Sequence, residues 1–295
     1  MKMENNTADA PASTEQLVQL KRLTVRTLAK TDENGNIVCE EATIVELLQQ
    51  DHRQIVLSLL MEEDDLMPLF DGCGWAGTMV WQASLLMAER LAALAAQQQH
   101  EEGRGGALLA GRCVVELGCG VGLPGMVAKA LGAGAVALTE QEGLMKLLGK
   151  NIRSNFSTEE QRTIFAQELD WSSEENIENL KQNLGQPIDF LICCDCVYEP
   201  LYGDSWKALV HVVANLADRT LTKVLFTFER RTADGIEKFL AQMLEEGWSG
   251  ELIHTEHGNI FEMYEFCYCN NNSNKEQEEE DNVEDDDDSD KRFLL

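Results

Sequence analysis

An open α/β sheet, mostly parallel and finished by one antiparallel hairpin, is the fold this sequence predicts. Three observations carry that expectation. Strand-like and helix-like stretches alternate from Arg112 onward, a glycine-rich turn follows the first of those strands, and the last two strand-like runs are joined by a very short turn. Alternation of this kind argues for parallel strands with helices on both faces.

The elements follow in order. CVVEL (113–117) is a short buried strand and GMVAKALG (125–132) a helix; AVALTE (135–140) is a second strand and GLMKLLGKNIRSN (143–155) a second helix. TIFAQEL (163–169), DFLICC (189–194) and KVLFTFE (223–229) are further strands, with helices around WKALVHVVANLA (206–217) and GIEKFLAQMLEEG (235–247). ELIHTEH and IFEMYEFCYC meet across His257-Gly258-Asn259, too short a connection for a crossover, so these two strands must be antiparallel. Upstream, RLTVRTL (22–28) and NIVCEEATIV (36–45) alternate around the turn signal Asn34-Gly35 and read as a hairpin. IVELLQQDHRQIVLSLL (44–60) reads as an amphipathic helix, DGCGWAG (71–77) breaks it, and TMVWQASLLMAERLAALAAQ (78–97) reads as another helix. QQQHEEGRGG (97–106) reads as an exposed connection.

Composition sets outer bounds. An apolar share of 44% over 295 residues is enough for a core, and the formal charge is −28. Residues 270–295 carry −8 of it, leaving −20 on the rest, so acidity belongs to the body as well as to the tail. Such a body repels phosphate backbones and argues against nucleic acid as a partner; it either steers a basic protein segment or simply keeps the chain soluble. The start is polar, without the apolar segment of a secretory signal, and no window approaches the about 20 apolar residues that span a bilayer, so no membrane association is expected. The nine cysteines are scattered, several in apolar runs, which suits reduced thiols in the cytoplasm or nucleus. Three regions result: an extension over 1–74, a catalytic-type domain over 75–269, and an acidic tail over 270–295 expected to be disordered.

The glycine turn, CVVELGCGVGLPG (113–125), narrows the ligand. From Gly118, the Gly-x-Gly-x-x-Gly of a dinucleotide site would need glycine where Leu123 stands; the frame from Gly120 fits but leaves Gly118 unexplained. A phosphate-binding P-loop would end in Gly-Lys-Ser/Thr, and Leu123-Pro124-Gly125 excludes it. What remains is a Glu-x-Gly-x-Gly-x-Gly turn whose Gly118, Cys119 and Gly120 approach a ligand closely, with Glu116 placed to accept from a ligand ammonium. That suits the amino-acid end of S-adenosylmethionine (SAM). Glu140, 22 positions after Gly118 at the end of the second strand, can accept both ribose hydroxyls; alone it would read as a solvated strand-end acid.

With these residues in hand, the chain resembles the seven-β-strand SAM-dependent methyltransferases, and within them the family-16 protein lysine methyltransferases. The match runs from about Gly77 to Cys269 and rests on Gly77-x-x-Val80-Trp81, Leu169-Asp170-Trp171, Asp195-Cys196-Val197-Tyr198 and Phe228-Glu229-Arg230-Arg231. Gln82 departs from the Asp or Pro that several members carry after the Trp, which bears on substrate choice. The resemblance implies a Rossmann-like, seven-stranded class I methyltransferase sheet, SAM as cofactor, and methyl transfer to a protein lysine. It implies that Trp171 covers the adenine with Asp170 near its exocyclic amine, that Trp81 walls the methionine side, and that Cys194 offers a backbone contact; each tryptophan could also be plain core. Asp195, at the crevice end of the fourth strand, is expected to accept from the acceptor amine and aim its lone pair, with Tyr198 walling it. Glu229 and Arg230 are expected to pair with each other at the rim or to hold a loop, with substrate contact left open. Other acceptors (arginine, histidine or a small amine) and an idle binding module stay open. A zinc reading through Cys193, Cys196, Cys267, Cys269, His254 and His257 is disfavoured, because Cys193 and Cys196 span a strand end rather than a knuckle turn.

Overall fold

The computed structural model describes residues 19–31, 34–35, 37–48, 53–59, 74–101 and 109–268. Its centre is a seven-stranded sheet in the order β6-β5-β4-β7-β8-β10-β9. The strands are β4 (Cys113–Leu117), β5 (Ala135–Glu140), β6 (Ile164–Glu168), β7 (Phe190–Cys194), β8 (Lys223–Glu229), β9 (Trp248–Glu256) and β10 (Phe261–Tyr268). β4 to β8 run parallel, and β10 slots between β8 and β9 antiparallel to both. The chain moves outward from β4 to β6 and then returns to β7 beside β4. That reversal leaves a crevice at the carboxyl ends of β4 and β7, the usual ligand position in such sheets.

Strand alternation divides the core. Val114 and Ile192 face one apolar cluster, and Val115, Leu191 and Cys193 the other. The first cluster is covered by α1 (Gln82–Glu101), α2 (Leu123–Ala130) and α3 (Met145–Asn155). The second is covered by α4 (Glu174–Leu184), α6 (Trp206–Leu216) and α7 (Ile236–Glu245), with the single-turn α5 (Glu199–Tyr202) between β7 and α6. β4 and β7 are buried along their whole length, as strands covered on both faces should be.

The sequence reading left α4 undivided from its surroundings, because only Ile177 and Leu180 are buried on it. Its signals lie at the ends instead. Ser173 caps it by accepting from the Asn176 N–H at 3.2 Å, Glu174 and Glu175 occupy the first turn, and Gly185 ends it at φ 59°. α1 also runs on through Glu101, into the stretch expected to be a connection. Among the described residues no helix is long and apolar enough to cross a membrane.

A second sheet precedes this one. β1 (Gln19–Thr31) and β2 (Ile37–Leu48) form the expected hairpin, with Gly35 at φ 81° in its turn. The amphipathic helix expected over 44–60 is absent. Ile44–Leu48 completes β2, and Arg53–Ser58 is β3, paired antiparallel to it. Short apolar runs satisfy both periods, and here the period of two wins: Ile55 and Leu57 are buried while Gln54 is exposed.

The free edge of β3 is satisfied by side chains. Asn155 accepts the Val56 N–H at 2.7 Å and donates to the Val56 carbonyl at 2.7 Å. One helical turn earlier, Asn151 accepts from the Ser58 N–H at 2.8 Å and donates to its carbonyl at 3.2 Å. Two amides on one face of α3 thus stand in for a neighbouring strand, and Asn151 also reaches the Val121 carbonyl in the glycine turn at 3.4 Å. Asn155→Ala orphans both groups of Val56, at about 1–3 kcal/mol for a buried unpaired group. Chemical denaturation should show that loss, and hydrogen exchange should show faster opening of the Val56 amide.

Candidate functional site

A cavity of about 700 Å³ opens at the carboxyl ends of β4, β5, β7 and β8. Its floor is the turn after β4. Gly118 and Gly120 have φ of 58° and 52°, a region that favours glycine. Space forbids a side chain as well. A Cβ on Gly118 would lie 2.6 Å from the Cys196 sulfur and 3.2 Å from the Trp171 ring, and one on Gly120 would lie 2.9 Å from the Gly77 carbonyl oxygen. Gly77 is therefore the place where the Gly-x-x-Val-Trp segment closes against the turn.

Glu140 ties that turn to β5. Its Oε2 accepts from the Gly120 N–H at 2.8 Å and its Oε1 from the Gln141 N–H at 2.9 Å. A carboxylate offers about four acceptor positions, so about two remain, and Glu140 borders the cavity. Two free acceptor positions match two adjacent hydroxyls. Burial pushes its pKa up while the two amides pull it down.

Glu116 behaves differently from the expectation. It is 1% exposed, is not among the residues lining the cavity, and its Oε2 accepts the Gly125 N–H at 2.8 Å. Direct contact with a ligand ammonium gives way to a supporting bond beneath the turn, because β4 is buried along its whole length. Burial pushes its pKa up to about 8.

The remaining walls bring the other expected residues together. Trp171, Asp170, Cys119 and Cys194 line the cavity, as does Trp81, whose indole N–H donates to the Ala76 carbonyl at 2.8 Å. Asp170 spends its Oδ1 on the Ser172 N–H and hydroxyl, which hold its pKa below the usual range. Gln82 opens α1 and does not line the cavity.

Asp195 and Tyr198 also line it, just past β7. Asp195 has φ 57°, an uncommon value for a residue with a side chain, and its N–H donates to the Thr227 carbonyl at 2.8 Å. Its Oδ1 accepts from the Glu229 N–H at 3.2 Å and from Arg231 Nη1 at 3.0 Å, and its Oδ2 from Arg231 Nη2 at 2.6 Å. The Arg231 guanidinium lies 4.9 Å from the centre of the Tyr198 ring and also pairs with Glu229 at 2.5 Å. Burial pushes the Asp195 pKa up, and Arg231 opposes the rise.

The expected Glu229–Arg230 pair is not formed. Arg230 turns towards the hairpin and α7, to Glu262 at 2.6 Å and Glu237 at 2.9 Å, and Arg231 takes Glu229. Alternation along the strand explains it, since neighbouring side chains point to opposite faces. Cys193 is fully buried in β7, and the Cys196 thiol donates to the Leu117, Gly118 and Cys194 carbonyls at 3.5–3.7 Å. Among the described residues no group of three or more His, Cys, Asp or Glu is placed to hold a metal ion; Cys269 lies outside them.

The chain is similar to several known proteins. The family described as lysine methyltransferase matches residues 62–246. The chain belongs to that lysine methyltransferase family. It is 42% identical over 132 residues to the "Secreted RxLR effector protein 48" of Plasmopara viticola, covering 42% of this chain and 67% of that one. It is 29% identical over 156 residues to the "Protein N-lysine methyltransferase METTL21A" of Danio rerio, covering 53% of this chain and 66% of that one. The chain thus spans about two thirds of the length of these curated relatives. Among solved structures, magnesium protoporphyrin IX methyltransferase from Synechocystis PCC 6803 with bound SAH aligns at 16% identity and a TM-score of 0.45, over 70% of this chain and 99% of that one.

Two features of this site were missed in the sequence. Trp75, Met79, Leu201 and Tyr202 line the cavity, and none of them was singled out as a site residue. Arg231 was quoted within a motif without a role; a doubled arginine after a strand was the available signal.

Glu116 yields a pH test. Its folded pKa of about 8 lies above its ordinary value of 4.5, so the folded state holds more protons between the two. Stability from this group is therefore lost as pH rises through that window. Glu116→Gln keeps an oxygen for the Gly125 N–H and cannot ionise. Melting temperatures from pH 5 to 9 should show the variant gaining on the wild type as pH rises.

Proposed function

We propose that this protein is a SAM-dependent protein N-methyltransferase whose acceptor is a lysine side chain. The observation that carries the reading is the state of Asp195. Three of its roughly four acceptor positions are taken, two of them by the Arg231 fork, which leaves one on Oδ2. A guanidinium is recognised by two parallel acceptors, whereas an amine is a compact point donor that one acceptor can orient. The open position therefore favours lysine over arginine.

Residues fit the cofactor on the opposite side of the cavity. Glu140 has acceptor positions left for the ribose, Trp171 and Leu169 flank an adenine, and Gly118 to Gly120 bring backbone close to the amino-acid end. When bound, SAM supplies a methyl carbon whose bond to sulfur breaks as the acceptor nitrogen bonds to it, the electron pair staying on sulfur. The protein's part is positional. Lysine ordinarily titrates near about 10.4 and must lose a proton to expose its lone pair. Asp195 holds one amine N–H and so directs that lone pair into the cavity, with the proton lost to solvent at the mouth. The Tyr198 ring gives the amine an aromatic wall on which an ammonium gains about 0.5–2 kcal/mol before deprotonation.

The acceptor is taken to be a lysine in a basic protein segment, which the formal charge of −28 would attract. A reducing compartment such as the cytoplasm suits Cys113, Cys119, Cys193, Cys194, Cys196 and Cys267, all free thiols.

Incubation with isotopically labelled SAM and a protein lysate, followed by mass spectrometry, should place the label on lysine. Label on arginine or histidine overturns the acceptor assignment, and no label overturns the activity. Asp195→Asn should lower kcat by about 10²-fold, the order for a misplaced reacting group, with affinity for S-adenosylhomocysteine unchanged.

A further inference from the structure

Arg231 stands out once the cavity is described, because so much of its surroundings is arranged around it. Its guanidinium meets Asp195 through two parallel bonds, Glu229 through a third, and the face of Tyr198. The backbone beneath is fixed too. The Arg231 N–H donates to Asp234 Oδ2 at 3.1 Å, Asp234 Oδ1 accepts the Ile236 N–H at 2.9 Å, and the Asp234 carbonyl accepts the Glu199 N–H at 2.9 Å. The loop after β8 is thereby tied to the start of both α7 and α5. Tyr198 is the residue before α5, so one loop carries the arginine and steadies the tyrosine.

We propose that Arg231 is a positioning residue for the acceptor, acting through Asp195 and Tyr198 so that one lone pair of Asp195 Oδ2 faces the incoming amine. This rests on the lysine reading given above. A free aspartate would rotate about its side-chain bonds and present either oxygen. The fork removes that freedom, since both oxygens must stay in the guanidinium plane. It also fixes the charge. Asp195 is 7% exposed, and a carboxylate so buried favours its neutral form unless a cation lies beside it. The charged groups acting on it are Glu229 at the end of β8 and Arg231 just past it, with the Cys194 thiol from β7 also within its field; of these Arg231 is the cation. A neutral Asp195 would present a proton where the amine needs an acceptor. Lysine at 231 would keep the charge but not the fork, which separates the two effects.

Arg231→Lys and Arg231→Gln, with wild type, make the test. Two readouts are needed: kcat and KM for the lysine acceptor as functions of pH, and a carbon-13 titration of the Asp195 carboxyl, identified by its loss in Asp195→Asn. Arg231→Gln should lower kcat by about 10²-fold, the order for a misplaced reacting group, with a smaller change in acceptor KM. The acid limb of its profile and the Asp195 carboxyl titration should both move up by about 1–3 pH units. Arg231→Lys should lower kcat while leaving the acid limb close to wild type. A salt bridge that only stabilises the fold would lower the melting temperature and raise the carboxyl titration, but would leave kcat and its acid limb unmoved. Wild-type kcat in Arg231→Gln overturns the proposal, as does an unmoved carboxyl titration, and so does a faster variant, which would make the arginine a plug. Should Arg231→Gln fail to fold, an unchanged kcat in Arg231→Lys overturns it as well. The carboxyl titration needs no acceptor, so failure to find methyl transfer would count against the function alone.

Discussion

The bond from the Gly120 N–H to Glu140 is the contact on which the rest of the site depends. It joins the turn leaving β4 to the end of β5, and it holds that turn in a left-handed path that only glycine takes cheaply. Because Glu140 spends half its acceptor capacity on backbone amides, it is held in place and still has capacity for a ligand. Gly77 closes on the same turn from the other side, so the cavity wall is built where three separate stretches of chain meet backbone to backbone. Glu116 reinforces this from below through Gly125, out of reach of the cavity.

The opposite wall is made by a different device. Asp195 leaves β7 at a φ that costs energy for a residue with a side chain, and its bonds to Thr227, Glu229 and Arg231 keep it there. The two walls come from neighbouring strand ends, β4 and β5 on one side and β7 and β8 on the other. Reversal of strand order between β4 and β7 is what opens the space between them. Fold and chemistry are linked at that point: the crevice exists wherever this topology exists, while the chemistry lies in the few side chains that border it.

Much of this was legible in the sequence, for physical reasons. Parallel strands buried on both faces read as unbroken apolar runs, so CVVEL, DFLICC and KVLFTFE were plain. The glycine turn excluded a P-loop and disfavoured a dinucleotide site, and Glu140 fell at the next strand end as expected. The N-terminal stretch 44–60 was misread because four or five apolar residues satisfy both helical and strand periods, and the deciding factor, the asparagine pair on α3, lies about 100 residues away. Glu116 was placed in the ligand's path because spacing does not tell which side of a turn a side chain occupies. Arg231 was visible only as half of a doubled arginine after a strand; its meaning appears only when β7 and β8 bring it against Asp195. Residues 1–18 and 269–295, including the acidic tail, lie outside the described residues.

A methyl donor lodged between these walls requires Glu140 for two tasks at once. Isothermal titration of S-adenosylhomocysteine into the wild type and into Glu140→Ala tests that most directly, with circular dichroism confirming that both are folded. Saturable one-to-one binding by the wild type, and its loss or severe weakening in the variant, is the expected result. Absence of heat from the folded wild type, or equal affinity in the variant, would contradict the central claim.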